Sequence, residues 1–296
     1  MILELKNIEK SFGEKNVLTG VNIRAEGGKA FGLLGRNGAG KTTAIRILMN
    51  VFPANSGQVL IDDKPIDYAT VGIGYLPEER GLYPKKVIID QLIYFAELKG
   101  MARKDAVKAI DYWLDRLGMM EYRNKRLDTL SKGNQQKIQL ITAVAHDPDI
   151  VILDEPFSGL DPVNAMLLKD VVRELIAKGK IVLFSSHQMS YIEEFCDSIA
   201  ILNQGVVAIS GDLHEIKRNY IRDKLVVRTE NPQPIRDAFG DICESLDDGS
   251  LLLKMDTPAE KQATMKRLVE EFDVDEVKVF EPSLNDIFVE YAGEGV

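Results

Sequence analysis

Cysteine is scarce in this chain. Cys196 and Cys243 stand far apart and outside any C-x-x-C spacing, so they supply neither a metal site nor a disulfide framework, and a reducing compartment is expected. Long apolar runs are also missing. No stretch of about 18 apolar residues occurs, so no segment is expected to span a bilayer. The opening residues, Met1-Ile2-Leu3-Glu4-Leu5-Lys6, alternate as a strand does and lack the apolar core of a secretory leader. Positive charge is not in excess: 37 Lys and Arg face 46 Asp and Glu, a net charge of −9. The imbalance is local. Residues 1–220 hold 28 acidic and 28 basic side chains, whereas residues 221–296 hold 18 acidic and 9 basic ones. This shift marks a domain boundary near residues 212–223. An acidic tail also argues against a nucleic-acid or anionic-lipid surface there, since either needs the opposite sign.

What is present is ordinary globular material, 45% apolar and 28% charged, and 296 residues suggest about two domains. It is organised around Gly35-Arg36-Asn37-Gly38-Ala39-Gly40-Lys41-Thr42-Thr43, which fits the phosphate-cradling pattern G-x-x-x-x-G-K-[ST]. That pattern means something only between a strand and a helix. Residues 30–34 read as a short buried strand, and residues 43–49 carry apolar side chains at helical spacing. In this setting the loop N–H groups turn towards the β- and γ-phosphates of a nucleotide, with the helix dipole behind them. Lys41 would reach phosphate oxygens, and the Thr42 hydroxyl would hold Mg²⁺.

Other polar groups close apolar strand runs. Residues 149–153 lead into Asp154 and Glu155, suited respectively to the Mg²⁺ shell and to orienting or deprotonating an attacking water. Residues 71–76 end before Glu78, which reads equally as a metal or water contact and as a solvated loop acid. Residues 180–186 end at His187. Ligands in open α/β sheets bind outside such strand ends. Ser131-Lys132-Gly133-Asn134 opens a helix capped by Ser131, either a plain capped start or an anion site. Ser158-Gly159-Leu160-Asp161-Pro162 is a turn before a helix at about 163–177. Phe12, upstream of the phosphate loop, reads either as a core aromatic or as a platform for an adenine ring. Residues 88–126 are helical and carry no phosphate chemistry.

In order and spacing these motifs resemble the ATP-binding-cassette (ABC) ATPase family over residues 1–220. The resemblance implies an α/β P-loop NTPase fold of ABC type, with an antiparallel β subdomain and a helical insertion at about 88–145. It makes residues 35–43 the nucleotide loop (Gly35, Asn37, Gly38, Ala39, Gly40, Lys41, Thr42 and Thr43) and Phe12 the adenine platform. It makes Glu155 and His187 catalytic, Ser158 and Asp161 part of the D-loop, and Thr42, Asp154 and Glu78 the Mg²⁺ contacts. Ser131, Lys132, Gly133 and Asn134 become the signature, which completes the ATP site of a second copy. Two departures stand out: the usual Leu-Ser-Gly-Gly-Gln is Leu130-Ser131-Lys132-Gly133-Asn134, and the usual loop glutamine is Glu78. A carboxylate can bind Mg²⁺ but cannot donate to water as an amide can.

Residues 221–296 read as a small α+β domain with antiparallel pairing. The run Pro282-Ser283-Leu284-Asn285-Asp286-Ile287-Phe288 resembles the C-terminal extension of cassette ATPases from antibiotic-resistance and sodium-export transporters. The resemblance implies a subunit that binds ATP and Mg²⁺ and pairs with a second ATPase copy. It would lie at the cytoplasmic face of the membrane and energise an integral membrane permease, with export the expected direction. The rival is a soluble cassette ATPase acting on ribosomes or nucleic acid. Such proteins usually carry paired cassettes or coiled-coil insertions and basic surfaces, and this chain has one cassette, no heptad run and a neutral cassette.

Overall fold

The computed structural model describes residues 1–79, 81–158, 160–186, 188–219, 224–246, 248–255 and 257–293. By internal contacts the chain divides into two compact units, Met1–Leu213 with Phe288–Val296, and His214–Ile287. The charge step alone puts the boundary near residues 212–223, a window that contains this division.

The first unit opens with β1 (Ile2–Phe12), β2 (Lys15–Glu26), β3 (Ala30–Gly35) and α1 (Lys41–Leu48). Strands β4 (Ser56–Ile61), β5 (Lys64–Pro65) and β6 (Ile73–Leu76) follow. A helical stretch then comprises α2 (Ile88–Leu98), α3 (Arg103–Arg116) and α4 (Lys132–Val144). The chain continues through β7 (Ile150–Asp154), α5 (Pro162–Ala177), β8 (Ile181–Ser185), α6 (Met189–Phe195), β9 (Ser198–Asn203) and β10 (Val206–Asp212).

The central sheet has the order β10-β9-β3-β8-β7-β6, parallel except for β10 at its edge. Every residue of β3, β7 and β8 is buried, which is why these strands are continuous apolar runs rather than alternating ones. A second, antiparallel sheet has the order β2-β1-β4-β5. Its inward residues Leu3, Leu5, Val21 and Ile23 share one core with Phe31, Leu33, Ile150, Ile152, Ile181 and Leu183 of the central sheet, and with Ala44, Ile45, Ile47 and Leu48 of α1. The hairpin between β1 and β2 is tighter than the local sequence suggests. Residues 11–16 read as a turn, but Phe12 pairs with Lys15, and residues 17–18 and 21–24 lie in one continuous strand. Cross-strand hydrogen bonds extend the ladder past the point where side-chain alternation is visible.

The second unit begins within α7 (Leu213–Asn219) and contains β11 (Lys224–Arg228), α8 (Gln233–Phe239), β12 (Cys243–Ser245), β13 (Leu251–Lys254), α9 (Pro258–Glu271) and β14 (Glu276–Val279); α10 (Leu284–Gly293) follows. This β-α-β-β-α-β order makes an antiparallel sheet, β12-β13-β11-β14. Leu225, Val227, Leu251 and Leu253 bury one face of it under Ile235 of α8 and Leu268 of α9. The expected small α+β domain is therefore present.

One close approach joins the helical stretch to the central sheet. A Cβ at Gly74 of β6 would lie 1.9 Å from the Ala143 carbonyl oxygen of α4, so only glycine lets the two backbones meet. Gly74→Ala should lower stability by about 1–3 kcal/mol, the usual cost of overpacking, read as an earlier urea midpoint with an unchanged slope.

Candidate active site

The phosphate loop connects β3 to α1. Gly40 precedes α1 with φ +111°, and a Cβ there would stand 2.6 Å from Leu18 Cδ2 and 3.1 Å from the Val17 carbonyl oxygen. Backbone conformation and packing together demand glycine at this point. A cavity of about 1170 Å³ opens over the loop, lined by Gly35, Asn37, Gly38, Gly40, Lys41, Thr42 and Thr43. Glu78, Asp154, Glu155 and Ser185 line its other side. Parallel pairing explains the convergence, because β3, β6, β7 and β8 all end at the same edge of the sheet. Ala39 is the member of the predicted loop set that does not line the cavity. It is buried, and its N–H donates to the Arg36 carbonyl oxygen at 3.1 Å.

Lys41 lies back along its own loop, donating from Nζ to the carbonyl oxygens of Gly35 (2.5 Å) and Arg36 (3.2 Å). Burial pulls its pKa down, while Glu155, Asp154 and Glu78 oppose that shift. Asp154 accepts a hydrogen bond from Tyr75 Oη at 3.2 Å. Burial pushes its carboxyl above the ordinary value of 3.8, against the hydrogen bonds from Ser185 and Tyr75, which favour the charged form. Glu155 is 7% exposed and sits in the left-handed region, φ +48°, where the chain turns sharply after β7. Its N–H donates to the Ser185 carbonyl oxygen at 2.8 Å, and its Oε2 accepts from Ser186 Oγ at 3.0 Å.

Thr42, Asp154 and Glu78 offer a hydroxyl and two carboxylates to one cavity, the hard oxygen donors that suit Mg²⁺. Among the described residues no group of three or more His, Cys, Asp or Glu could hold a metal unaided, so phosphate oxygens would have to complete such a shell. Gln139 of α4 braces the strap carrying Glu78, donating from Nε2 to the carbonyl oxygens of Pro77 (3.2 Å) and Glu79 (3.1 Å).

The remaining candidates lie elsewhere. Ser131 caps α4, accepting at Oγ from the Asn134 N–H at 3.4 Å; Ser131 and Lys132 are exposed, and Gly133 and Asn134 are half-buried. Among the described residues none of these four lines the phosphate cavity of its own chain. Asp161 caps α5 through Oδ1, which accepts from the N–H groups of Val163 and Asn164, both at 3.0 Å. Ser158 is exposed beside it. Phe12 is half-exposed, its ring edge-on to Phe52 at 5.5 Å. It does not line the phosphate cavity, whereas Lys15, Asn16 and Val17 of the same hairpin do. His187 lies outside the described residues. Sequence reasoning missed Tyr75, Ser185, Ser186 and Gln139, because nothing local marks a serine or tyrosine that will oppose an acid on another strand.

Sheet order, phosphate loop and paired carboxylates define a nucleotide-hydrolysing P-loop cassette. Comparison with known proteins agrees. The chain matches the ABC transporter family over residues 18–158 and the C-terminal domain of DrrA1-3-like ATP-binding proteins over residues 211–292. It is 40% identical over 299 residues to YhaQ of Bacillus subtilis (strain 168), an uncharacterized ABC transporter ATP-binding protein, covering 99% of each chain. The linearmycin resistance ATP-binding protein LnrL of the same organism is 32% identical over 214 residues, 71% of this chain and 69% of LnrL. A solved structure described as the ATP-binding subunit of an ABC transporter superposes with a TM-score of 0.68 at 29% identity, covering 74% of this chain and 93% of the other. The chain belongs to the ABC transporter ATP-binding proteins and is an ATPase subunit of that family.

The raised pKa of Asp154 has a consequence for stability. A carboxyl held above its unfolded value contributes stability in acid that is lost as pH rises through the folded value, so at neutral pH the ionised group is a cost. Asp154→Asn should therefore raise the thermal midpoint of the nucleotide-free protein by a few degrees at neutral pH, with the gain vanishing towards pH 4. Differential scanning calorimetry at several pH values checks this.

Proposed function

We propose that this chain hydrolyses ATP to drive an integral membrane permease subunit, as an exporter, from the cytoplasmic face of the membrane. The observation that carries the reading is the Asp154–Glu155 pair, which shares one cavity with Lys41, Thr42 and Glu78. In this reading the loop N–H groups and Lys41 hold the phosphates, Lys41 exchanging its carbonyl partners for phosphate oxygens. Glu155, with His187 as its catalytic partner, takes a proton from water as the water oxygen attacks the terminal phosphorus and the bond to ADP breaks. Mg²⁺, when bound through Thr42, Asp154 and Glu78, supplies charge neutralisation on the phosphate oxygens. Phe12 provides the adenine platform.

Two copies would pair about a two-fold axis, the Ser131–Asn134 signature of each completing the other's ATP site beside Ser158 and Asp161. ATP then closes the pair because its γ-phosphate gives the partner's signature an anion to hold, and hydrolysis removes that contact. A solved relative of this fold is described as a dimeric cassette. Among the described residues no helix is long and apolar enough to cross a membrane. A groove of about 810 Å³ beside Glu78, with Leu82, Phe95 and Leu98 on its wall, is a fitting seat for a cytoplasmic helix of the permease. Export is supported by relatives named for linearmycin resistance and Nod factor export. Residues 1–220 would form the ATPase domain and residues 221–296 an accessory domain for dimer contact or regulation.

Glu155→Gln should lower ATP turnover by about 10²–10³-fold while leaving ATP binding intact, and with MgATP the variant should sediment as a dimer. A variant that stays monomeric would rule out closure by ATP. Tagged protein drawn from detergent-solubilised native membranes should bring an integral membrane protein with it; recovery with ribosomes or nucleoprotein would favour the soluble ATPase instead.

A further inference from the structure

We propose that Ser186 is a positioning residue for the Glu155 carboxylate. The inference rests on Glu155 being the general base. The two side chains are buried, at 2% and 7% exposure, and Ser186 Oγ lies 3.0 Å from Glu155 Oε2.

The direction of this hydrogen bond is set by its surroundings. The Gln188 N–H donates to Ser186 Oγ at 3.1 Å, so the hydroxyl oxygen already accepts. An ionised carboxylate can only accept, so the hydroxyl proton points to Glu155. Strand register then explains why the two residues meet. Asp154 pairs with Ser185 across β7 and β8, and the Glu155 N–H donates to the Ser185 carbonyl oxygen, so Ser186 is the next residue along when the chain turns out of β8.

A glutamate side chain has three torsions to order before its carboxylate can meet a water in the right attitude, and ordering them beforehand is a large part of what an active site contributes. Ser186 orders the terminal one. The scaffold beneath is packed: Phe157, two residues beyond Glu155, stacks on Tyr191 of α6 with centroids 4.0 Å apart and planes at 23°, and also faces Phe195 at 5.8 Å. That stack ties the turn after Glu155 to the helix following Ser186. The pairing is also systematic. Ser185 stands opposite Asp154 in the strand register and Ser186 bonds Glu155, so two consecutive serines at the end of β8 face two consecutive acids at the end of β7.

Steady-state hydrolysis by the full chain tests this. Ser186→Ala should lower kcat about tenfold, the size expected for a hydrogen bond to a charged group, with KM changed less than about twofold. Ser186→Cys keeps the shape but donates poorly; it should show the same loss of kcat with an unchanged unfolding midpoint, and it carries the test should the alanine variant not fold. In a Glu155→Gln background, adding Ser186→Ala should lower the residual rate no further, because its partner is already neutral. Wild-type kcat in both serine variants, or a tenfold loss that persists in the Glu155→Gln background, would overturn the proposal. Should Glu155→Gln alone turn over normally, the general-base reading fails instead, which the single variant reports independently of Ser186.

Discussion

The parallel register of β3, β8 and β7 is the constraint on which this molecule depends. Leu33 pairs with Ser185, and Ser185 with Asp154, so β7 and β8 finish level and β3 runs two residues past them into the phosphate loop. The phosphate loop, the acid pair and the serine pair all leave the sheet within reach of one cavity. A slip by one residue would turn every side chain of the slipped strand to the opposite face. Complete burial of β3, β7 and β8 makes such a slip costly, since each exchanges its apolar contacts on both faces at once.

The same burial gives the site its electrostatic character. Lys41 and Asp154 both lose hydration, and each is displaced towards its neutral form, Lys41 downward and Asp154 upward. Lys41 meets the deficit with backbone carbonyls, and Asp154 with the hydroxyl of Tyr75. Polar groups held in place this way interact strongly with a phosphate chain, because they need little reorientation when charge moves. Glu155 adds a backbone constraint, its left-handed φ directing the side chain out of the line of β7.

The second unit follows a different logic. Its sheet is antiparallel, its core is its own, and it carries the excess negative charge that the cassette lacks. The cassette concentrates polar groups at one sheet edge. By contrast, this small domain buries one apolar sheet face under α8 and α9, through Ile235 and Leu268.

Much of this was legible in the residues. The phosphate loop announces itself because its glycines, Lys41 and Thr42 act within nine consecutive positions, and the caps Ser131 and Asp161 are equally local. Apolar runs identify β3, β7 and β8 as buried strands, and the charge step near residue 220 separates two regions of different composition. Other features depend on contacts at long range. The end of β1 runs on to Phe12 because β2 pairs with it, although its own residues read as a turn. Tyr75 meets Asp154 across 79 residues, and Ser186 meets Glu155 across 31. A hydrogen bond needs donor and acceptor within about 3 Å in the right direction, and only the register of neighbouring strands sets that. The sequence by itself determined which groups are available for phosphate chemistry. The tertiary structure decided which hydroxyl holds which acid.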